Sequence, residues 1–144
     1  MASHWFNEGK RAVLAGEIQF ATDDIRAALC MLNTTADSVI DGAIHLSDLT
    51  LDECDGAGYS RQALANKTVT RDDTNDLAVF DADDESFGSI GASTRNVQGV
   101  LIYLHVTNDA DSVPLFWLEF STSKVPDGSD FTVRWSASGL TTCS

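Results

Sequence analysis

Two stretches of this chain are apolar at consecutive positions, and that constrains the fold more than any other feature. In Ile25–Leu32, the residues Ile25, Ala27, Leu29 and Met31 alternate with Ala28, Cys30 and Leu32, and Arg26 is the only charge. In Val97–Thr107, Leu101, Tyr103 and His105 fall on one face, and Ile102, Leu104 and Val106 on the other. A strand that is apolar on both faces has to be covered on both, so Ile25–Leu32 is expected to lie centrally in a sheet. Val97–Thr107 is the strongest strand signal. Asn108-Asp109-Ala110-Asp111-Ser112 then turns the chain, and Val113–Phe120 returns as an antiparallel partner. Pro114 is tolerated there because a strand's first residue need not donate to the ladder.

The remaining pattern is mostly of period two. Ile18 and Phe20 alternate with Glu17 and Gln19, and Leu77–Asp81 and Ser86–Ile90 read as short strands around an acidic loop. Phe131, Val133 and Trp135 alternate with polar residues after the turn Pro126-Asp127-Gly128. Tyr59–Thr70 reads as a strand with neither face cleanly apolar, which predicts an edge strand or a contact with something outside the monomer. The same reasoning places Trp5 at a subunit contact. Residues 34–58 read as a long connection anchored by Val39, Ile40, Ile44, Leu46, Leu49 and Leu51. One helix is expected, over His4–Ala15, with Ser3 as N-cap, Phe6, Val13 and Leu14 on one face, and Gly16 as the terminating glycine. The sum predicts a mainly β chain, an antiparallel β-sandwich of roughly six to eight strands with a short N-terminal helix. The aromatics Phe116, Trp117, Phe120, Phe131 and Trp135 are expected to dominate its core.

At 144 residues the length suits one domain, which buries roughly 68–70% of its unfolded surface. The 22 acidic residues against nine Lys and Arg give a formal net charge of −13. Such a surface repels nucleic acid and anionic membranes, because binding a polyanion depends on Lys and Arg displacing its counterions. Cys30, Cys54 and Cys143 are odd in number and lack CxxC spacing. That argues against a disulfide framework or a zinc site and fits synthesis in a reducing cytoplasm. Cys30 is expected in the core and Cys143 on the surface. The opening residues have no apolar stretch of the signal-peptide kind, and no run approaches the roughly 18 apolar residues of a membrane span. Without secretion, the matches Asn33-Thr34-Thr35 and Asn66-Lys67-Thr68 to the glycosylation pattern carry no meaning.

A search for chemistry assigns no catalytic, cofactor-binding or metal residue. His4, His45 and His105 fit no zinc spacing. The glycine loops Gly56–Ser60 and Gly88–Gly91 match neither a nucleophile elbow nor a phosphate loop. Asp81, Asp83, Asp84 and Glu85, and likewise Asp72, Asp73 and Asp76, offer oxygens of the kind calcium takes, but not at the spacing of a calcium-binding loop. Solvated loops are the preferred reading of both. Trp117 and Trp135 are the residues a sugar-binding module would use for stacking, although a tryptophan in a strand more often belongs to a core.

The order of these segments resembles a family of small bacteriophage virion proteins of about this length. The resemblance is carried by Phe6–Phe20, Asp24–Leu29, Leu46-Ser47-Asp48-Leu49, Ala63–Thr70, Phe80-Asp81-Ala82-Asp83-Asp84 and Val125–Trp135, in that order. The chain departs from the pattern in Ser136–Ser144, which lacks an apolar finish, and in a polar insertion around Cys54. The resemblance implies a non-enzymatic virion component without cofactors. Its expected role is a capsid decoration or cement protein, located on the outer surface of the head. The expected partner is the major capsid protein, with self-association for which a trimer is the natural arrangement on a capsid lattice. A tail, neck or fibre-associated protein is the alternative within the same resemblance.

Overall fold

The computed structural model describes residues 3–143. Its elements, in chain order, are β1 (His4–Trp5), α1 (Asn7–Leu14), β2 (Ile25–Met31), β3 (Gln62–Ala63), β4 (Thr68–Asp72), β5 (Leu77–Asp81), β6 (Glu85–Ser89), β7 (Val97–Leu104), β8 (Val113–Lys124), β9 (Asp130–Val133) and β10 (Thr141–Cys143). A 3-10 turn, Leu46–Asp48, lies in the connection between β2 and β3. The fold is mainly β, its strand pairs are antiparallel, and it has one short α-helix. The strand count exceeds the expected range because β1, β3 and β10 are pieces of two or three residues.

The main sheet has the order β1-β8-β7-β2-β3, so β2 lies inside it, as its doubly apolar pattern predicts. Ile25, Ala27, Leu29 and Met31 face the larger core. There they meet Phe80, Phe87, Val133 and Leu140 from the three-stranded sheet β10-β5-β4, the two-stranded sheet β6-β9 and the segment before β10. These layers form the sandwich. Ala28, Cys30, Leu101, Tyr103 and Trp117 point the other way, into a second core.

The cover of that second face is the connection between β2 and β3. Ala36, Ala43, Leu46 and Leu49 pack onto it together with Phe6. A covering segment without strands has to satisfy its backbone groups elsewhere. Thr35 N–H donates to Thr50 O at 2.9 Å, Leu46 N–H to Ser112 O at 3.0 Å and Ser47 N–H to Asp109 O at 3.0 Å. The irregular stretch is therefore a packed layer.

The N-terminus corrects the expected helix. His4 and Trp5 pair with Trp117 and Phe116 as an edge strand, and the Ser3 hydroxyl accepts from Glu119 N–H at 3.0 Å rather than capping a helix. Phe6 occupies the N-cap position with an extended backbone, and its ring is fully buried. The helix buries Gly9 and Ala12, not Leu14, which is 83% exposed. A Cβ on Gly9 would lie 2.8 Å from Leu115 Cα, so the helix sits directly on the β8 backbone. The helix does end at Gly16, whose φ is 75°. Gly16 N–H donates to Val13 O and Glu17 N–H to Ala12 O, the paired bonds of a Schellman motif.

Other boundaries shift for physical reasons. Ile18 and Phe20 are buried as expected but form no strand, because Asp23 Oδ2 and Gln19 O close a local turn with Gln19 N–H and Asp23 N–H. Tyr59–Thr70 is not one strand. It breaks around buried Leu64 and Asn66, whose φ is 51°, and its halves β3 and β4 join different sheets. Each half lies at a sheet edge. The strand expected to run to Thr107 ends at Leu104, and the last predicted strand ends at Val133. There Trp135 leaves the ladder to donate its N–H to Asp84 Oδ1 at 2.9 Å and its indole N–H to Asp83 O at 2.7 Å.

Candidate interaction surface

The residues considered for chemistry remain apart. His4 sits in β1 with its ring 5.1 Å from Phe6. His45 caps the 3-10 turn in a reciprocal arrangement with Asp48. His105 follows β7 beside Tyr103, and its Nδ1 is buried without a hydrogen-bond partner among the described residues. Among the described residues no three His, Cys, Asp or Glu side chains are grouped to hold a metal ion.

The acidic loops are occupied by local bonds. Asp72 Oδ1 accepts from Thr74 N–H and Asn75 N–H, and its Oδ2 from Asn75 Nδ2 at 2.7 Å. Asp83 Oδ2 accepts from Asn66 Nδ2 at 2.6 Å. Burial, with a smaller contribution from Asp83, pushes the Glu85 carboxyl above its ordinary value.

The densest polar group is one that sequence reasoning missed. Arg61 donates from Nε and Nη2 to Glu53, at 2.8 Å each, and from Nη1 and Nη2 to Asp109 at 2.6 and 3.0 Å. Its guanidinium lies 5.4 Å from the centre of the Tyr103 ring. The Tyr59 hydroxyl donates to Glu53 Oε1 at 2.7 Å and accepts from Leu29 N–H at 3.1 Å. The hydrogen bonds from Arg61 hold the Asp109 carboxyl below the usual range. Burial, and then the charge of Glu53, push the Tyr59 phenol far up. Every strong donor and acceptor is engaged, so the cluster ties the loops at Glu53, Tyr59 and Asp109 to the main sheet. No local sequence signal points to it, because Arg61 and its partner Asp109 are 48 positions apart.

This pairing is general. Five of the six arginines, Arg11, Arg26, Arg61, Arg71 and Arg95, are bound to carboxylates. The Arg95–Asp52 pair holds Asp52 low, through the arginine hydrogen bonds first and Asn33 N–H second. Trp117 is fully buried, which takes it away from any sugar-stacking role, and its Nε1 has no hydrogen-bond partner among the described residues. Trp5 packs against Phe116 and Phe80, at 4.8 and 5.2 Å between ring centres.

What the surface does offer is an open strand edge. β4 ends the order β10-β5-β4, so one side of it has no ladder partner. Its residues Thr68, Val69, Thr70 and Arg71 are exposed, with Val69 at 47%. Natural proteins usually blunt such an edge, because it templates pairing with another chain. Among the described residues no helix is long and apolar enough to cross a membrane. No protein-family model matches the chain, and no curated protein or solved structure matches it.

Proposed function

We propose that this chain is a non-enzymatic assembly domain, a capsid decoration protein that binds the outer surface of a phage head and bridges neighbouring capsomers. The virion assignment rests on the sequence resemblance. The observation that carries the assembly role is the open edge of β4, an exposed Thr-Val-Thr strand with no ladder partner on one side among the described residues. The ionic groups support it as well. Carboxylates whose pKa is lowered are held by arginines or by local N–H and O–H donors, an arrangement that braces loops rather than poising a reaction.

Imaging of intact particles at near-atomic resolution tests the reading, together with the heat and osmotic resistance of particles lacking the chain. Hundreds of copies on the head and a weakened shell without them are expected. A few to tens of copies at the tail or neck would establish the alternative virion role. Absence from purified particles would end the virion reading altogether.

A further inference from the structure

β4 has β5 as its only ladder partner among the described residues. Where its free backbone groups point follows from the register. Phe80 stands opposite Val69, and the Phe80 carbonyl accepts from Leu140 N–H at 2.8 Å, on the β10 side. In an antiparallel ladder a residue's N–H and C=O point to the same side, and facing pairs alternate between bonded and unbonded. Val69 and Phe80 are therefore an unbonded pair, and Val69 turns its N–H and C=O to the open edge. Arg71, two positions on, does the same, while Thr68 and Thr70 face Asp81 and Val79 on β5. Residues Thr68, Val69, Thr70 and Arg71 are all exposed.

Both ends of this edge are acidic. Asp72, Asp73 and Asp76 lie in and after the end of β4, and Asp81, Asp83 and Asp84 at and beyond the end of β5, which runs out beside Thr68. Across residues 67–84 only Lys67 and Arg71 oppose them, and Arg71 is bridged to Asp73 at 3.2 Å. Asp72, Asp83 and Asp84 accept from Asn75 Nδ2, Asn66 Nδ2 and Trp135 N–H. Those donors are neutral, so they orient the carboxylates without cancelling their charge. Among the described residues no three acidic side chains are grouped to hold a metal ion. The charge is spread along the edge, on a chain of net charge −13, and it complements a cationic ligand that is spread as well.

We propose that the edge of β4 takes up, as an added strand, an extended segment of another protein that carries lysine or arginine at both ends. The segment's backbone exchanges hydrogen bonds with Val69 and Arg71, and its side chains lie beside Val69 and Thr70 on the two faces. Its cations meet the two acidic ends. In strand addition the main-chain bonds give affinity, and charge selects the partner. A second copy of this chain fits badly. Paired parallel or antiparallel, its edge lays acidic ends on acidic ends, and like charges facing one another across a ladder destabilise it. Nucleic acid is repelled by the net charge. The inference rests on the assembly reading, because it names the chemistry of the partner at the edge on which that reading stands.

The test titrates the full chain into a fluorescein-labelled peptide of alternating threonine and valine with a pair of lysines at each end, followed by anisotropy. One comparison peptide carries glutamates in place of the lysines. The other carries prolines in place of the valines, which keeps the charge and removes N–H groups from the strand. The lysine peptide is expected to bind at least tenfold tighter than either. Val69→Pro should weaken it at least tenfold, and since the Val69 N–H faces outwards the β4–β5 ladder keeps its bonds. Asp73→Asn combined with Asp81→Asn should weaken it at least threefold, and Asp41→Asn, in the cover of the second core, should leave it unchanged. Far-UV circular dichroism checks folding, and the proline peptide and the Asp variants decide the matter if Val69→Pro does not fold. Equal binding of the glutamate or the proline peptide overturns the proposal, as does indifference to folded Val69→Pro or to the double Asp variant. Wild-type dimers in sedimentation that Val69→Pro abolishes also overturn it, in favour of a second copy. Particles that take up a chain deaf to all three peptides would sink this inference and leave the decoration role standing. Tight lysine-peptide binding by a chain absent from particles would do the reverse.

Discussion

Arg61 grips Asp109 with two nitrogens across 48 positions of sequence, and the same guanidinium holds Glu53 with two more hydrogen bonds. Arg61 is 22% exposed and Glu53 26%, so the group is only partly screened by water. Removing the arginine leaves two carboxylates without their main partner and strips a planar cation from the Tyr103 ring. Arg61→Leu is therefore expected to lower stability by roughly 1–3 kcal/mol in urea titrations. Arg71→Leu removes an ion pair whose members are 85% and 72% exposed, and should leave the midpoint unmoved.

The pH dependence follows from the same pairs. Asp52, Asp24 and Asp109 have carboxyl pKa values lowered in the folded state by Arg95, Arg26 and Arg61. Stability from a lowered carboxyl is present above its unfolded value, near about 3.9, and is lost as pH falls through the folded value. Urea midpoints should thus fall steeply below about pH 4. Glu85 has the opposite sign. Its folded value is raised, so its protonation favours the folded state, and Glu85→Gln should raise the midpoint at pH 7 with the gain vanishing in acid. A midpoint unchanged by Glu85→Gln at pH 7 would refute the assigned cause.

Much of the fold was legible because burial leaves a local trace. The doubly apolar run Ile25–Met31 is interior, and Val97–Leu104 pairs with Val113–Lys124 as expected. What was illegible depends on distant partners. His4 and Trp5 look helical by position, yet they complete the edge of a sheet whose strand β8 lies more than a hundred residues away. Thr141–Cys143 carries no periodic signal and becomes a strand because β5 offers an edge. The Arg61 cluster likewise arises from long-range placement. The edge character of Tyr59–Thr70 was legible from its mixed faces, while the break at Leu64–Asn66 was not.

The irregular cover between β2 and β3 should behave as core. Leu46 is fully buried in the second core, against a sheet face that includes Tyr103 and Trp117. Leu46→Ala is expected to cost about 2–5 kcal/mol, the range for a buried leucine that leaves a cavity. Leu14→Ala, at an 83% exposed site, should leave the urea midpoint unmoved. If both variants unfold together with the wild type, the stretch is a loose loop and not a layer.

The thiols give a covalent readout of the same burial. Cys30 and Cys54 are buried, and burial pushes both thiols above their ordinary value, while Cys143 is exposed. Only a thiolate in reach of reagent is alkylated quickly. Iodoacetamide at pH 8 should therefore add one group to the native chain, at Cys143, and three after unfolding in urea. Rapid labelling of Cys30 in the native chain would contradict its place in the second core.

Gly9 sets two effects of opposite sign against each other. In an exposed helix, replacing glycine by alanine stabilises by about 1 kcal/mol, because alanine loses less backbone freedom on folding. Here the added methyl would lie 2.8 Å from Leu115 Cα and Leu115 O and 2.9 Å from Pro114 O. These are backbone atoms of β8, which pairs with both β7 and β1 and has little room to move. The helix must lift away instead, opening the buried contact at Ala12 and straining the Schellman turn at Gly16. Overpacking of this kind costs roughly 1–3 kcal/mol, more than the propensity gain. Gly9→Ala should accordingly lower the thermal midpoint, whereas Lys10→Ala, on the exposed side of the same helix, should not. A stabilised Gly9→Ala variant would show that α1 rides clear of β8.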